Sequence, residues 1–413
     1  MNPSLRRFTL TAAAPIIWCA SFSIAAPPVL ERGDSRDWIL SIKVDAQSTP
    51  ARRYLNDAST PGFQVSTSFD ITQAAWVYPA IESSAAHESF LERATSSLKV
   101  DDVLFDDTVT LLPNYQAGEQ LGRWELPALR GNLIRFRFNV PMTCFDVSFD
   151  EARAFAIPWP TEAWSPIAAS ALQPQLFVES DDEYIQNLVR TWTNNNPGAV
   201  PPARLAKILC KRVLEHVRIV TDIGYVSGRH GEFAGLAARG ASYSARSQEA
   251  TPTDIAALLC AVYRAAGLPA RIVVGYDLAA SLGVQLGIPN IDPVCMHNAN
   301  DDGRAFPIVR TWVEFYLFDE VEQRAEWIPV DIFRQSQISS KPPELDRRWD
   351  FFGNHPCLAH MAPLSFHLHP PTTVINSGPP AIWGWLPQPA APALDQRLDF
   401  EAREPTTRGG DRD

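Results

Sequence analysis

At 413 residues the chain is long enough for two or three domains. Its 36 Lys and Arg residues stand against 47 Asp and Glu, a formal charge of −11, which excludes a nucleic-acid or anionic-membrane surface as the main partner. Hydrophobic content of 46% and charged content of 20% are those of a globular chain, and 35 prolines announce long irregular connections.

Residues 1–25 read as a signal peptide. Arg6 and Arg7 form a positive end, Phe8 to Ile24 is mostly apolar, and Ser23-Ile24-Ala25 offers small residues for cleavage. The expectation is a periplasmic or secreted protein with no integral membrane segment after signal removal, since no later run of apolar residues is long enough to span. Beyond the signal, Cys144, Cys210, Cys260, Cys295 and Cys357 are an odd, scattered set that forms no disulfide framework.

Residues 36–172 carry a period of two. Ile134, Phe136, Phe138 and Val140 alternate with Arg135, Arg137 and Asn139, and Phe63, Val65, Thr67, Phe69 and Ile71 repeat the pattern. This is the signature of a β-sandwich-like domain, to which Ala85 to Ser97 is expected to add a helix. At Ser180-Asp181-Asp182-Glu183 a capping box opens a helix-rich region. Further helices are expected from Pro202 to Val217 and from Thr251 to Ala266, the latter stopped by Gly267 and Pro269. Strands are expected at Ala270 to Tyr276, Val309 to Leu317 and Glu326 to Asp331. Residues 338–394 read as a Pro- and His-rich extension wrapping over the body, and 395–413 as a disordered tail.

Three runs in this order carry a family resemblance: Asp254-Ile-Ala-Ala-Leu-Leu-Cys-Ala-Val-Tyr-Arg-Ala-Ala-Gly-Leu-Pro-Ala-Arg271 with the following Ile-Val-Val-Gly-Tyr276, then Arg310-Thr-Trp-Val-Glu-Phe-Tyr316, then Trp327-Ile-Pro-Val-Asp331. Residues 174–337 thereby resemble the transglutaminase-like domain, a branch of the papain-like thiol-enzyme fold. The fold expected for the whole is α+β: a β-sandwich-like domain, a transglutaminase-like domain and a Pro-rich C-terminal extension.

The resemblance implies a cysteine at a helix N-terminus, a histidine to take its proton and an aspartate to hold the imidazole. Carried over residue by residue, the cysteine falls on Pro252, the histidine on Arg310 and the aspartate on Asp331, so the triad is degenerate. Proline offers no nucleophile, and arginine stays protonated at neutral pH. Thr251-Pro252-Thr253-Asp254 is an ordinary helix start, and Arg310 is expected to pair with Asp331. Cys260 lies too deep in the helix to replace the nucleophile.

The resulting expectation is a module that binds a peptide or protein and requires no cofactor, with a cleft lined by Thr251, Thr253 and Trp312. The alternatives are a hydrolase or acyl transferase rebuilt on a relocated Cys295/His297 pair, and a metal-dependent protein using His355, Cys357, His360, His367 and His369. The Cys357-x-x-His360 spacing is zinc-like, against which stand the intervening prolines and the lack of a second paired motif. Trp383-Gly-Trp385 reads as a stacking platform or a pin holding the extension to the core.

Overall fold

The structure, a computed structural model, describes residues 26–48, 68–105, 110–113, 115–220, 225–227, 233–236, 238–277, 309–339, 341–368, 384–388 and 394–405. The signal-like segment, most of the 63–71 alternation, the Cys295/His297 pair, His369 and Trp383 lie outside the described residues.

The N-terminal region is built on strands β1 (Leu30–Ser48), β2 (Gln73–Ala80), β3 (His87–Ser89), β4 (Thr95–Val100), β5 (Thr110–Leu112), β6 (Gln120–Leu126) and β7 (Leu133–Phe149). In β7, Ile134, Phe136, Phe138, Val140, Met142 and Cys144 are all buried while the residues between them are half-buried, as an alternating strand requires. Trp124 and Trp76 close on Phe136 with ring centroids 4.8 and 5.4 Å away, forming an aromatic core.

The second region begins with α1 (Glu183–Trp192), α2 (Pro202–His216), α3 (Ala241–Ser247) and α4 (Pro252–Ala265). Helix α4 is buried along nearly its whole length, the mark of a central helix. Then come β8 (Ala270–Asp277), β9 (Val309–Asp319), β10 (Arg324–Val330) and α5 (Ile332–Ile338), and the C-terminal stretch supplies β11 (Met361–Ser365), β12 (Gly384–Gln388) and β13 (Leu394–Arg403).

One sheet runs β13-β1-β7-β3, with β4 also pairing β7; a second runs β12-β2-β6-β5; the third, β10-β9-β8-β11, is antiparallel throughout and packs on α4. The α+β class is therefore as expected, and the helices and strands around the family-like runs fall within a residue or two of their predicted bounds.

Four local readings are corrected. Ala85 to Ser97 forms no α-helix: it holds β3, a single 3-10 turn at Leu91–Arg93 and the start of β4. The N-cap of α1 is Asp182 rather than Ser180, because the Asp182 carboxylate accepts the Tyr184 and Ile185 amides. The charged tail is not disordered throughout. Residues 394–403 form β13 along β1, and Phe400 packs against Tyr276 at 5.2 Å. Its alternation of Leu398, Phe400 and Ala402 with charged residues is a strand pattern that composition alone conceals. Finally, the C-terminal extension does more than wrap, since β11 and β12 complete two of the sheets.

Candidate functional site

Of the three positions the resemblance singles out, Arg310 and Asp331 lie at one end of the third sheet, and Pro252 opens the helix α4 that packs on that sheet. In an antiparallel sheet the end of β8, the start of β9 and the end of β10 lie side by side, which brings Asp277, Arg310 and Asp331 into one neighbourhood. Along β9 the side chains alternate. Phe315 meets Tyr263 of α4 at 5.9 Å and Thr311 reaches the α4 start, while Arg310, Trp312 and Glu314 take the opposite face.

Pro252 is the first residue of α4. Its N-cap Thr251 accepts the Asp254 amide at 3.1 Å, and the Asp254 carboxylate accepts the Thr251 amide at 3.4 Å, a complete capping box. Asp254 also accepts the amides of Arg239 and Gly240 at 2.7 and 3.0 Å. The helix dipole end, where a thiolate would be stabilised, is thus served by a carboxylate of the chain itself. Thr311 donates its hydroxyl to the Pro252 carbonyl at 3.3 Å. Thr251 and Thr253 are buried, so they cap and pack rather than line an open groove.

Trp312 is also buried, its indole nitrogen donating to Glu314 at 3.4 Å. Its ring lies over Gly275, where an added Cβ would come within 2.3 Å of the ring. The expectation that it lines the cleft fails for that reason: it fills the space that glycine vacates.

The expected Arg310–Asp331 pairing is replaced by a wider network. The Arg310 Nε donates to Asp277 Oδ2 at 2.7 Å, and both side chains are buried. Arg310 sits opposite Gly275, so Asp277, two residues on, is its diagonal neighbour on the same face. The Arg334 guanidinium stands 4.0 Å from the same Asp277 oxygen. Asp331 is the N-cap of α5, accepting the Arg334 amide at 2.9 Å, and its other oxygen meets His355 Nε2 at 3.3 Å. Two arginines and two aspartates thus balance charge in a buried site. Burial would raise the Asp331 pKa, but the His355 hydrogen bond, the Arg334 amide and the Arg334 charge outweigh it and hold the carboxyl below its usual range.

His355 is held at both ring nitrogens. Its Nδ1 accepts the Cys357 amide at 3.3 Å, which fixes the proton on Nε2 facing Asp331. Both nitrogens are occupied, and the ring is buried. No residue in the network offers a nucleophile. Cys260 is fully buried inside α4 with its thiol pKa raised by that burial, and Cys144 and Cys210 are buried with theirs raised in the same way.

The histidine-rich stretch separates into unrelated roles. His355 holds Asp331, Cys357 is disulfide-bonded, His360 packs beside Trp38 with ring centroids 6.4 Å apart, and His367 Nδ1 lies 3.0 Å from buried Glu119. Among the described residues no group of three His, Cys, Asp or Glu side chains is placed to hold a metal. Neighbours in sequence here face different partners in the fold, and His369 lies outside the described residues.

Asp277, Arg334 and the pairing role of His355 were not legible as site residues. Arg334 falls at the third position of a helix capped by Asp331, and Asp277 ends the strand that precedes the β9 partner, so capping and strand register are the signals that could have found them.

Residues 196–332 match the family model of the transglutaminase-like superfamily, so the chain carries a transglutaminase-like domain. No curated protein matches the chain. Among solved structures, it resembles a candidate cysteine protease from Cytophaga hutchinsonii, with 10% identity, a TM-score of 0.48, and coverage of 91% of this chain and 92% of that one. A candidate protease from Parabacteroides distasonis ATCC 8503 resembles it at 12% identity and a TM-score of 0.22, over 65% of this chain and 44% of that one.

Proposed function

From the premise that residues 196–332 form a transglutaminase-like domain, we propose that this protein is an exported binding or scaffolding module that keeps the fold without its thiol chemistry. Its ligand is a peptide or protein segment. The observation that carries the reading is Pro252. The first turn of α4 holds a proline ring at the position to which the resemblance carries the family's cysteine, and the chain's own Thr251 and Asp254 complete the cap around it.

Two further observations support it. Arg310, onto which the resemblance carries the family's histidine, is committed to an ion pair with Asp277. The disulfide at Cys357 fits an oxidising compartment, as the signal-like N-terminus also does.

The test is a turnover assay on the purified full chain, using a carboxamide peptide as acyl donor and water or a primary amine as acceptor. The reading expects no product above buffer, and none after Arg310→His. Turnover that iodoacetamide abolishes would overturn it.

A further inference from the structure

A cavity of about 660 Å³ opens where the end of β7, the end of α5 and the loop 348–356 meet, away from the family-like positions. This lies within the size range of small-molecule sites, roughly 300 to 1,000 Å³. A bulge in β1 helps to make room for it. Pairing with β7 runs to Arg32 opposite Val147 and resumes at Ser35 opposite Phe145, leaving Gly33 on the cavity wall and Asp146 outside the ladder.

We propose that this cavity binds a short zwitterionic peptide with apolar side chains, its amino group at Asp146 and its carboxylate at Arg348. Both charged residues line the cavity, and each is held in position by the protein. Asp146 accepts the Ala359 amide at 3.0 Å. The Arg348 guanidinium donates to Asn354 Oδ1, and that amide is itself fixed by the Phe149 amide and by the Trp349 and Phe352 carbonyls. Among the described residues Arg348 makes no ion pair. Val147 and Phe351 supply an apolar floor, and Ile338 leaves 48% of its surface exposed at the rim.

Charge selects the ligand class. A simple anion drawn to Arg348 would also meet Asp146 and Asp350, and a simple cation drawn to the carboxylates would meet Arg348. A molecule carrying both charges satisfies both walls and covers the floor. Partial burial raises the Asp146 pKa, as expected of a carboxylate that gains from an incoming ammonium group. The site is separate from the proposed cleft but shares a wall with its network. The Phe351 carbonyl accepts the Asp331 amide at 3.0 Å, and the Phe351 ring meets His355 at 5.0 Å.

Isothermal titration of the full chain with L-leucyl-L-leucine tests this. Saturable binding at millimolar or lower concentration is expected, weakened at least about tenfold, or about 1.4 kcal/mol, by N-acetylating or C-amidating the dipeptide. Arg348→Ala and Asp146→Asn should each weaken binding by a similar factor. Asparagine retains the acceptor for Ala359, and Arg348 is exposed, so at least the second variant should remain folded by circular dichroism. Glu344→Gln, on a neighbouring cavity, should leave binding unchanged. Absence of saturable binding, equal affinity for the blocked dipeptides, or an unaffected Arg348→Ala variant would overturn the assignment. None of these outcomes bears on whether the protein turns over a substrate.

Discussion

Replacing Asp277 by alanine should be among the most damaging single changes in the transglutaminase-like domain. The carboxylate faces the Arg310 Nε at 2.7 Å and Arg334 at 4.0 Å, and the Arg310 and Asp277 side chains are only 7% and 3% exposed. Removing one partner of a buried pair leaves an uncompensated charge and costs roughly 3 to 5 kcal/mol. With a urea dependence of about 3 kcal/mol per molar, the unfolding midpoint should fall by about 1 to 1.7 M, read by fluorescence of the buried tryptophans. Asp277→Asn keeps an acceptor for Nε and should fall in between. The double variant Asp277→Leu with Arg310→Met removes both charges while Arg334 keeps Asp331 beside it. It should lose far less than the two single changes combined. A midpoint shift below about 0.3 M for Asp277→Ala, under about 1 kcal/mol, would refute the buried network.

Asp331→Ala removes the α5 cap and the His355 partner together, for an expected loss of about 2 to 4 kcal/mol, while Asp331→Asn retains a capping oxygen and should cost less; chemical denaturation of both variants checks the order. His87 is buried between the Ser84 and Ser89 hydroxyls at 3.1 and 2.8 Å, and burial, with the Arg271 and Arg32 charges, lowers its pKa to about 3. The unfolded chain therefore binds its proton below about pH 6.5 while the folded chain does not, so this stability is present above that pH and is lost as pH falls toward 3. Between pH 7 and 4 the loss is about 3 kcal/mol, and His87→Gln, which keeps a donor and an acceptor, should remove that share of the pH dependence in denaturation curves. Gly275→Ala places a methyl 2.3 Å from the Trp312 ring and should cost about 1 to 3 kcal/mol by overpacking, measurable as a lowered thermal midpoint.

The sequence was most legible where local chemistry decides the outcome. Thr251, Pro252 and Asp254 form a helix start by spacing alone, and Ile134 to Cys144 alternate because one face of β7 is buried. It was least legible where a partner comes from a distant segment. Asp331 finds His355, 24 residues on, only because the C-terminal stretch folds back beside α5, and Arg310 finds Asp277 only through the register of β8 against β9. Both are tertiary outcomes to which residue type contributes nothing until the strands are aligned. The β13 strand was hidden by composition, since its outward residues are charged and read as a solvated tail until β1 is there to pair with it. In the histidine stretch, proximity in sequence suggests a common ligand, whereas His355, His360 and His367 each meet a different neighbour.

Time-resolved alkylation of the native full-length chain with iodoacetamide, followed by mass spectrometric mapping of each cysteine, bears most directly on the proposal that the chain lacks thiol chemistry. Cys144, Cys210 and Cys260 should stay unlabelled until the protein unfolds, because burial raises each thiol pKa. No cysteine should react faster than an unperturbed thiol at neutral pH. One cysteine labelled stoichiometrically and much faster than that reference would contradict the account, because a thiolate would then be stabilised somewhere despite Pro252 and Arg310.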